Sequence, residues 1–155
     1  VRLRLVAIGT RMPGWVDEGF RDYAARMPRE CRLELRELAL GRRSRGGDAA
    51  RAVADESTRL MEASAGCLRV CLDVRGEAVD TPGLARRLDG WLQSGEDVAL
   101  LVGGPDGMTP ECLAAARWRW SLSPLTLPHG LVRVLLAEQL YRAWSVLSGH
   151  PYHRE

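Results

Sequence analysis

The chain contains neither lysine nor asparagine, and its 22 basic residues are all arginines. The formal net charge at pH 7 is only +2, because 20 acidic residues nearly balance the basic ones. The net charge alone therefore does not indicate a nucleic-acid-binding protein, although guanidinium groups suit phosphate and carboxylate oxygens better than an ammonium group does. Nucleotide composition bias in the genome is the simplest explanation for the exclusive use of arginine.

Long apolar runs are also missing. No segment approaches the roughly 20 apolar residues that a bilayer-spanning helix needs. The first residues, VRLRLVAIG, alternate apolar and charged side chains at their start instead of forming the apolar block of a signal peptide. We therefore expect a soluble cytoplasmic protein.

Several catalytic and metal-binding motifs are absent. No CxxC pair of a zinc ribbon or thioredoxin-like site occurs among the cysteines, which are Cys31, Cys67, Cys71 and Cys112. Reduced, buried thiols fit these positions best. The sequence also lacks GxGxxG, GK[ST] and GxSxG, the signatures of dinucleotide binding, of a P-loop and of an α/β-hydrolase. His150 and His153 have no third ligand in a supporting pattern, so we expect no metal site.

Apolar patterns predict strands that alternate with helices. Period-two or continuous apolar runs predict strands at 2–9, 31–38, 67–74, 97–104 and 119–123. Helical spacing predicts helices after Pro13, after Asp48, from the Thr81 cap to Gly95, after Thr109, and over 130–147. Such alternation predicts a single α/β domain over residues 1–155 with a mostly parallel sheet.

The final helix is apolar on more than one side. Its apolar residues are Val132, Leu136, Leu140, Ala143 and Leu147 on one stripe, with Leu131, Val134, Leu135 and Tyr141 beside it. A helix that is apolar on most sides is buried on most sides, either within one chain or against a second subunit. We predict a homodimer with this helix in the interface. Glu138 and Arg142, four residues apart, form an ion pair at the surface or at that interface.

Two loops follow predicted strands at the edge where open α/β sheets bind ligands. Gly103 and Gly104 let the backbone approach a ligand closely, although a purely structural turn has the same composition. The second loop, SLSPLTLPHG at 121–130, is uncharged and broken by two prolines. We expect it to be buried, with backbone groups that bind a flat heterocycle such as adenine. His129 either caps the final helix or lies beside this site.

Positive charge is concentrated in the glycine-flanked stretch GRRSRGG at 41–47. Arg42, Arg43 and Arg45 predict contacts with nucleic-acid phosphates. The alternative is a solvated loop without a ligand.

Three segments together resemble a known family: LVAIGTRMPGWVDEGFRDY, LVGGPDGM and the C-terminal WSLSPLTLPHGLVRVLLAEQLYRAWSVLSGHPYHRE. The chain resembles the large-subunit ribosomal RNA methyltransferase H family over essentially its whole length. The resemblance implies the SPOUT fold, with helices on both faces of the sheet and a C-terminal trefoil knot, and it implies a homodimer. It also implies S-adenosyl-L-methionine as methyl donor, and N3 of a pseudouridine in the 23S rRNA of the large ribosomal subunit as acceptor.

The resemblance further implies roles for particular residues. The donor site would consist of Leu72, Gly103, Gly104, Leu122, Ser123, Pro124, Leu125, Thr126 and Leu127. The reaction site would be lined by His129, Arg142, Tyr152, His153 and Arg154, some of them from the partner subunit. Ribosomal RNA would bind Arg42, Arg43 and Arg45. The chain departs from the family pattern at Pro124 and at Gly130, where a small residue and a proline are expected.

Two functions fit these features. In an active methyltransferase, an arginine stabilises the anionic uracil ring while a histidine assists removal of the N3 proton. The alternative is a catalytically silent ribosome-binding or assembly factor with the same fold. Binding of S-adenosylmethionine distinguishes the two, because a silent factor does not require the donor.

Overall fold

Strands and helices alternate along residues 1–43 and 49–154, which are the residues that this computed structural model describes. In chain order the elements are β1 (Arg2–Ile8), α1 (Gly14–Arg26), β2 (Arg32–Leu38), α2 (Ala50–Ala63), β3 (Leu68–Glu77), α3 (Thr81–Ser94), β4 (Val98–Val102), α4 (Pro110–Ala114), β5 (Trp118–Trp120) and α5 (His129–Ser148). Two 3₁₀ turns, Arg29–Cys31 and Pro151–Arg154, precede β2 and follow α5.

The five strands form one sheet in the order β2-β1-β4-β3-β5, and every neighbouring pair is parallel. Leu100 at the centre of β4 is in register with Leu5 of β1 on one side and with Val70 of β3 on the other. All five residues of β4 are buried. The continuous apolar run at this position is thereby explained, since a central parallel strand is covered on both faces.

Helices cover both faces of the sheet, as expected. One face packs against α1, α3 and α5, with Phe20, Leu88 and Leu136 in a common core. The opposite face packs against α2 and α4, where Leu60 and Cys112 contact the side chains of β1, β3 and β4. The domain is therefore a three-layer α/β/α sandwich.

Helix α5 lies between α1 and α3 on its face of the sheet. Leu136, Leu140 and Ala143 of the predicted stripe are fully buried, whereas Leu147 is exposed. Leu131, Val134 and Leu135 beside the stripe remain half-buried within one chain, as does Val132 of the stripe, whereas Tyr141 is buried. Much of the apolar character of α5 is thus used inside the chain, and an incompletely covered strip remains.

Several element ends differ from the sequence-based expectations. Strand β3 continues to Glu77, and β5 is shorter and starts one residue earlier than predicted. Helix α3 is capped by Asp80, not Thr81, because the Asp80 carboxylate accepts the Gly83 N–H at 2.8 Å. The predicted cap of α2, Asp48, lies outside the described residues. Thr109 caps α4 as expected.

The four cysteines are all free, and three of them are buried: Cys31, Cys71 and Cys112. Burial raises the pKa of the Cys31 thiol to about 11, with a further contribution from the charge of Glu30. The Cys31 thiol therefore remains protonated at neutral pH and acts as a small apolar core residue.

Candidate functional site

A pocket lies at the carboxyl edge of the sheet. Because all strands are parallel, the ends of β3, β4 and β5 meet at this edge, where ligands bind in open α/β folds. Three chain segments surround an open cavity of about 280 Å³: residues 72–74, residues 102–108, and residues 120–132. This volume is close to the lower end of the range for small-molecule pockets, which begins at about 300 Å³.

The structure brings most of the expected donor-site residues into this one pocket. Its lining includes Leu72, Gly103, Gly104, Leu122, Ser123, Leu125, Thr126 and Leu127, and also His129. Pro124 is exposed and does not line the pocket. Residues from three separate segments, up to 60 positions apart in the chain, therefore share one cavity.

The expectation that the segment after β5 is buried is wrong for its central part. Pro124, Leu125 and Thr126 are exposed, and Leu125 retains 73% of its accessible surface. The backbone is satisfied locally instead: the Ser123 hydroxyl accepts the Leu125 N–H at 2.9 Å, and the Ser121 hydroxyl donates to the Ser123 carbonyl at 3.1 Å. The segment forms one wall of an open cavity, which leaves apolar side chains at the mouth.

Several pocket residues were not anticipated from the sequence. Among the described residues, Asp73 is the one carboxylate in the lining. It follows Leu72 within β3, just beyond Cys71, the last residue paired with β4, a position that could have drawn attention to it. Other additions are Val74, Val102, Pro105, Gly107, Met108, Trp120 and Val132.

Trp120 forms part of the pocket wall and belongs to an aromatic stack. Its ring lies 5.2 Å from that of Trp118 at an interplanar angle of 11°. The Arg87 guanidinium covers Trp118, 4.0 Å from the ring centroid, and Trp91 packs 6.3 Å away. Burial and stacking together fix the orientation of the Trp120 indole.

His129 begins α5 at the edge of the pocket. Burial lowers the pKa of His129, and the nearby charge of Arg133 lowers it further, whereas Glu56 acts in the opposite direction. His129 is therefore neutral at pH 7. Arg133, one turn along the helix, is fully buried and donates to Glu37 and, at 2.8 Å, to the Gly9 carbonyl.

The other end of α5 carries a cluster of charged and aromatic groups. Arg142 donates to the Glu138 carboxylate through Nε at 2.8 Å and through Nη2 at 2.6 Å. The Tyr152 hydroxyl, from the C-terminal turn, donates to the same carboxylate at 3.1 Å. The Tyr152 ring packs 4.7 Å from that of Tyr141. The chain end is therefore anchored to α5 through Tyr152.

Both ionisable partners of Glu138 have altered acidity. The hydrogen bond to Glu138 raises the pKa of Arg142. Burial, a hydrogen bond to Tyr23 and the Glu138 charge raise the pKa of Tyr152. Arg142 is thus cationic and Tyr152 protonated throughout the physiological range. His153 Nδ1 is buried without a hydrogen-bond partner among the described residues, and Arg154 is exposed.

One chain does not bring all five expected reaction-site residues together. His129 lines the pocket, whereas Arg142, Tyr152, His153 and Arg154 do not. His129 and Arg142 are 13 residues apart on the same helix. At 1.5 Å per residue, that separation is about 20 Å along the helix axis.

Two of the three arginines expected to bind RNA, Arg42 and Arg43, differ in their exposure and in their contacts. Arg42 is exposed. Arg43 is held by carboxylates: Nη1 donates to Glu56 at 2.8 Å and Nε donates to Asp106 at 3.0 Å. These hydrogen bonds, that of Glu56 foremost, raise the pKa of Arg43. Arg45 lies outside the described residues.

The described residues were also expected to lack a metal site and a membrane-spanning helix. Within residues 1–43 and 49–154, no three histidine, cysteine or acidic side chains gather closely enough to hold a metal ion. No helix in the described part of the chain has the length and apolar character needed to cross a membrane.

The fold and the pocket together define an α/β domain with an open cavity at the carboxyl ends of its central strands. Residues 1–153 match a family described as "Predicted SPOUT methyltransferase", and the chain belongs to this family. The match covers nearly the whole chain, so fold, pocket and family assignment refer to the same residues.

Curated relatives cover the same length. The chain is 62% identical over 154 residues to the "Ribosomal RNA large subunit methyltransferase H" of Alkalilimnicola ehrlichii, with 99% of each chain aligned. It is 54% identical to the protein of the same name from Thioalkalivibrio sulfidiphilus, with 100% of each chain aligned.

Solved structures share the fold at much lower identity. A methylase family protein from Haemophilus influenzae Rd KW20 superposes with a TM-score of 0.59 at 13% identity, over 97% of this chain and 67% of that chain. One from Neisseria gonorrhoeae gives a TM-score of 0.55 at 17% identity, over 90% and 81%. These two comparisons support the fold alone.

Proposed function

We propose that this methyltransferase transfers a methyl group from S-adenosyl-L-methionine to N3 of a pseudouridine in the 23S rRNA of the large ribosomal subunit. The observation that carries the proposal is the glycine-lined pocket at the carboxyl edge, in a chain 62% identical to a large-subunit rRNA methyltransferase. A catalytically silent ribosome-binding or assembly factor is less favoured, because such a factor has no need of this pocket. The cytoplasm, where ribosomes are assembled, is the proposed location.

The pocket has the chemistry that the donor requires. Leu122, Leu125 and Leu127 supply apolar walls for a purine, while Gly103 and Gly104 bring backbone close to a ligand. The Asp73 carboxylate is available to accept from ribose hydroxyls or to complement a cationic donor. When bound there, S-adenosylmethionine supplies a methyl group on a sulfonium sulfur. The protein's task is then mainly to align the methyl carbon with the acceptor nitrogen.

The acceptor nitrogen carries a proton and is a poor nucleophile until that proton leaves. His129 is neutral, lines the donor pocket and is therefore suited to take the proton. Arg142 and Arg154 are suited to stabilise the anionic uracil ring. Tyr152 and His153 are proposed to position that ring. Glu138 is engaged by Arg142 and Tyr152, so it is an orienting partner and not the base.

The separation along α5 favours a homodimer with shared sites. About 20 Å between the levels of His129 and Arg142 is too far for both to contact one uracil ring from the same chain. In a homodimer, the tail of one subunit, with Tyr152, His153 and Arg154, closes the donor pocket of the other. The half-buried strip of α5 provides the apolar surface for such an interface. The C-terminal segment is proposed to form the trefoil knot of SPOUT proteins.

Arg42 is the best-placed residue of the basic loop for rRNA phosphate, since it is exposed and has no ion-pair partner within the described residues. The proposal retains Arg45 on the basis of sequence. Phosphate contacts of this kind weaken steeply as salt rises.

A labelling experiment tests the proposed activity. Ribosomes that lack the modification are incubated with the protein and with donor labelled on its methyl group, and the labelled nucleotide is mapped. We expect label at N3 of a single pseudouridine of the large-subunit RNA, and none on ribosomes that were already methylated. Ribosome binding without label, together with no heat of donor binding in calorimetry, would establish the silent factor instead.

Subunit mixing tests the shared site. Gly104→Ala is the donor-site variant, because a Cβ at Gly104 would lie 2.7 Å from Glu56 Oε1. Arg154→Ala is the tail variant. Each is expected to be inactive alone. Random reassembly should restore up to roughly a quarter of wild-type activity, since half the dimers are mixed and each has one intact site. No recovery in demonstrably mixed dimers would show that each site is built from one chain.

A further inference from the structure

A buried carboxylate connects residues 41–43 to the glycine-containing loop at residues 103–108. Glu56 on α2 is completely buried and accepts from the Gly41 N–H at 2.7 Å and from Arg43 at 2.8 Å. Arg43 also reaches Asp106 at 3.0 Å and the Gly41 carbonyl at 3.1 Å. We call Arg43, Glu56 and Asp106 the clamp. All three nitrogens of the Arg43 guanidinium donate to the two carboxylates: Nε to Asp106, and Nη1 and Nη2 to Glu56.

The clamp holds the outer side of a loop whose inner side lines the pocket. Gly103, Gly104 and Gly107 face the cavity, whereas Asp106 is not part of its lining. Gly104 lies directly against Glu56, because a Cβ there would be 2.7 Å from Oε1. The Gly107 N–H donates to the Gly104 carbonyl at 3.1 Å, and Gly107 has φ +81°, which glycine tolerates and other residues rarely adopt.

We infer that Arg43 is a positioning residue of the donor pocket, which fixes the 103–108 loop through Asp106 and Glu56, and not a ligand of RNA phosphate. A phosphate would have to displace two carboxylates from the guanidinium, one of them buried. The adjacent Arg42 faces no such competition. The inference rests on the proposed function only in naming the ligand as S-adenosylmethionine.

The test exploits the exposure of Asp106. Its side chain is 46% exposed, so Asp106→Ala breaks the clamp without leaving a cavity. Asp55 is the matched control: it lies on α2, is 57% exposed and pairs with Arg59 at 3.0 Å. We expect Asp106→Ala to raise the dissociation constant of S-adenosylmethionine on the order of tenfold, since a charge-assisted hydrogen bond to the loop is lost. Asp55→Ala should leave it unchanged.

A conservative variant and a second readout separate positioning from general stability. Asp106→Asn keeps an acceptor for Arg43 Nε and should recover most of the affinity. The thermal midpoint of both Asp106 variants should equal that of Asp55→Ala. The KM for the donor should rise in Asp106→Ala with little change in kcat. Equal loss of affinity in the Asn and Ala variants, or an unchanged donor KM, would contradict the inference.

Substitutions of Arg43 and of the adjacent Arg42 should have opposite effects on donor binding and on rRNA binding. Arg43→Ala should weaken donor binding and leave the salt dependence of rRNA binding as in wild type. Arg42→Ala should reduce the salt slope by about 1 and leave donor binding intact. If Arg43→Ala instead lowers the salt slope while donor affinity stays constant, Arg43 is an RNA ligand and the inference is overturned.

Hydrogen exchange distinguishes failure of this inference from failure of the proposed function. Backbone amides of residues 103–108 should exchange faster in Asp106→Ala than in Asp55→Ala, on the order of tenfold. If wild-type protein does not bind S-adenosylmethionine but the exchange difference is present, only the proposed donor is wrong. If exchange is equal in the two variants, the clamp does not fix the loop, whatever the donor is.

Discussion

The charged groups at the two ends of α5 differ in their burial and in their partners. At the first end, His129 is neutral and lines an apolar pocket, and Arg133 is fully buried against Glu37 and the Gly9 carbonyl. At the second end, Arg142 and Tyr152 share a half-buried carboxylate next to exposed residues of the tail. Both ends pack against the core, but the buried cation lies at the first end, whereas the Arg142–Glu138 pair at the second end retains some exposure.

This difference indicates a division of labour along one helix. A donor pocket needs a rigid, desolvated wall, which the buried arginine and the sheet provide. Groups that stabilise an anion on a large RNA need to be reachable from outside, which a surface cluster allows. Substitutions at the two ends should therefore have different consequences. Those at the first end should change the free energy of unfolding and the affinity for the donor, and those at the second end should change kcat.

The largest expected effect is on turnover. Arg154→Ala should lower kcat by on the order of a hundredfold, because one donor to the developing anion is removed. Donor affinity should not change, since Arg154 lies outside the pocket lining. Single-turnover methylation and calorimetry measure the two quantities. Arg117→Ala, an exposed arginine preceding β5, is the matched control. Wild-type turnover in Arg154→Ala would exclude this arginine from the chemistry.

The next effect is on stability. Arg133→Ala should lower the free energy of unfolding by about 3 kcal/mol, because it removes a buried cation from a carboxylate and a backbone carbonyl. Arg142→Ala, in a partly exposed pair, should lower it by less than about 1 kcal/mol. Urea denaturation of both variants measures the difference. Equal losses would mean that the two ends of α5 are equally anchored.

The smallest effect concerns pH. The pKa of His129 is lower in the folded protein than its ordinary value of 6.5. As pH falls through 6.5, His129 binds a proton in the unfolded chain before it does so in the folded protein. His129 therefore makes the free energy of unfolding decrease on acidification. His129→Gln should reduce this decrease between about pH 7.5 and pH 5.5 in denaturant titrations. An identical pH dependence in the variant would mean that His129 is not buried as described.

Local patterns predicted the fold well because it depends on local periodicity. The continuous apolar run of β4 predicted its central place, and Gly95 and Gly149 end α3 and α5 with φ of 73° and 74°. Patterns were weaker where the structure is short or irregular. Three-residue β5 has too few residues for a period, and its end was misplaced.

The site was predictable only in part, because its chemistry depends on contacts between distant residues. Gly103 and Gly104 stand out by composition alone. The state of Arg43 depends on Glu56 and on Asp106, the latter 63 positions away, and no local spacing signals these partners. Leu125 was expected to be buried because it is apolar, yet it lies at the open mouth of a cavity, where its surface is available to a ligand.

The tryptophan stack gives the protein a built-in optical reporter. Trp120 forms part of the pocket wall and lies parallel to Trp118, which carries a guanidinium on its ring. Indole emission is sensitive to the polarity and charge around the ring, so a molecule that enters the cavity alters the fluorescence of this pair directly. Occupancy can thus be followed in unlabelled protein, and Trp120→Phe should reduce the fluorescence response because Trp120 is the tryptophan in the pocket lining.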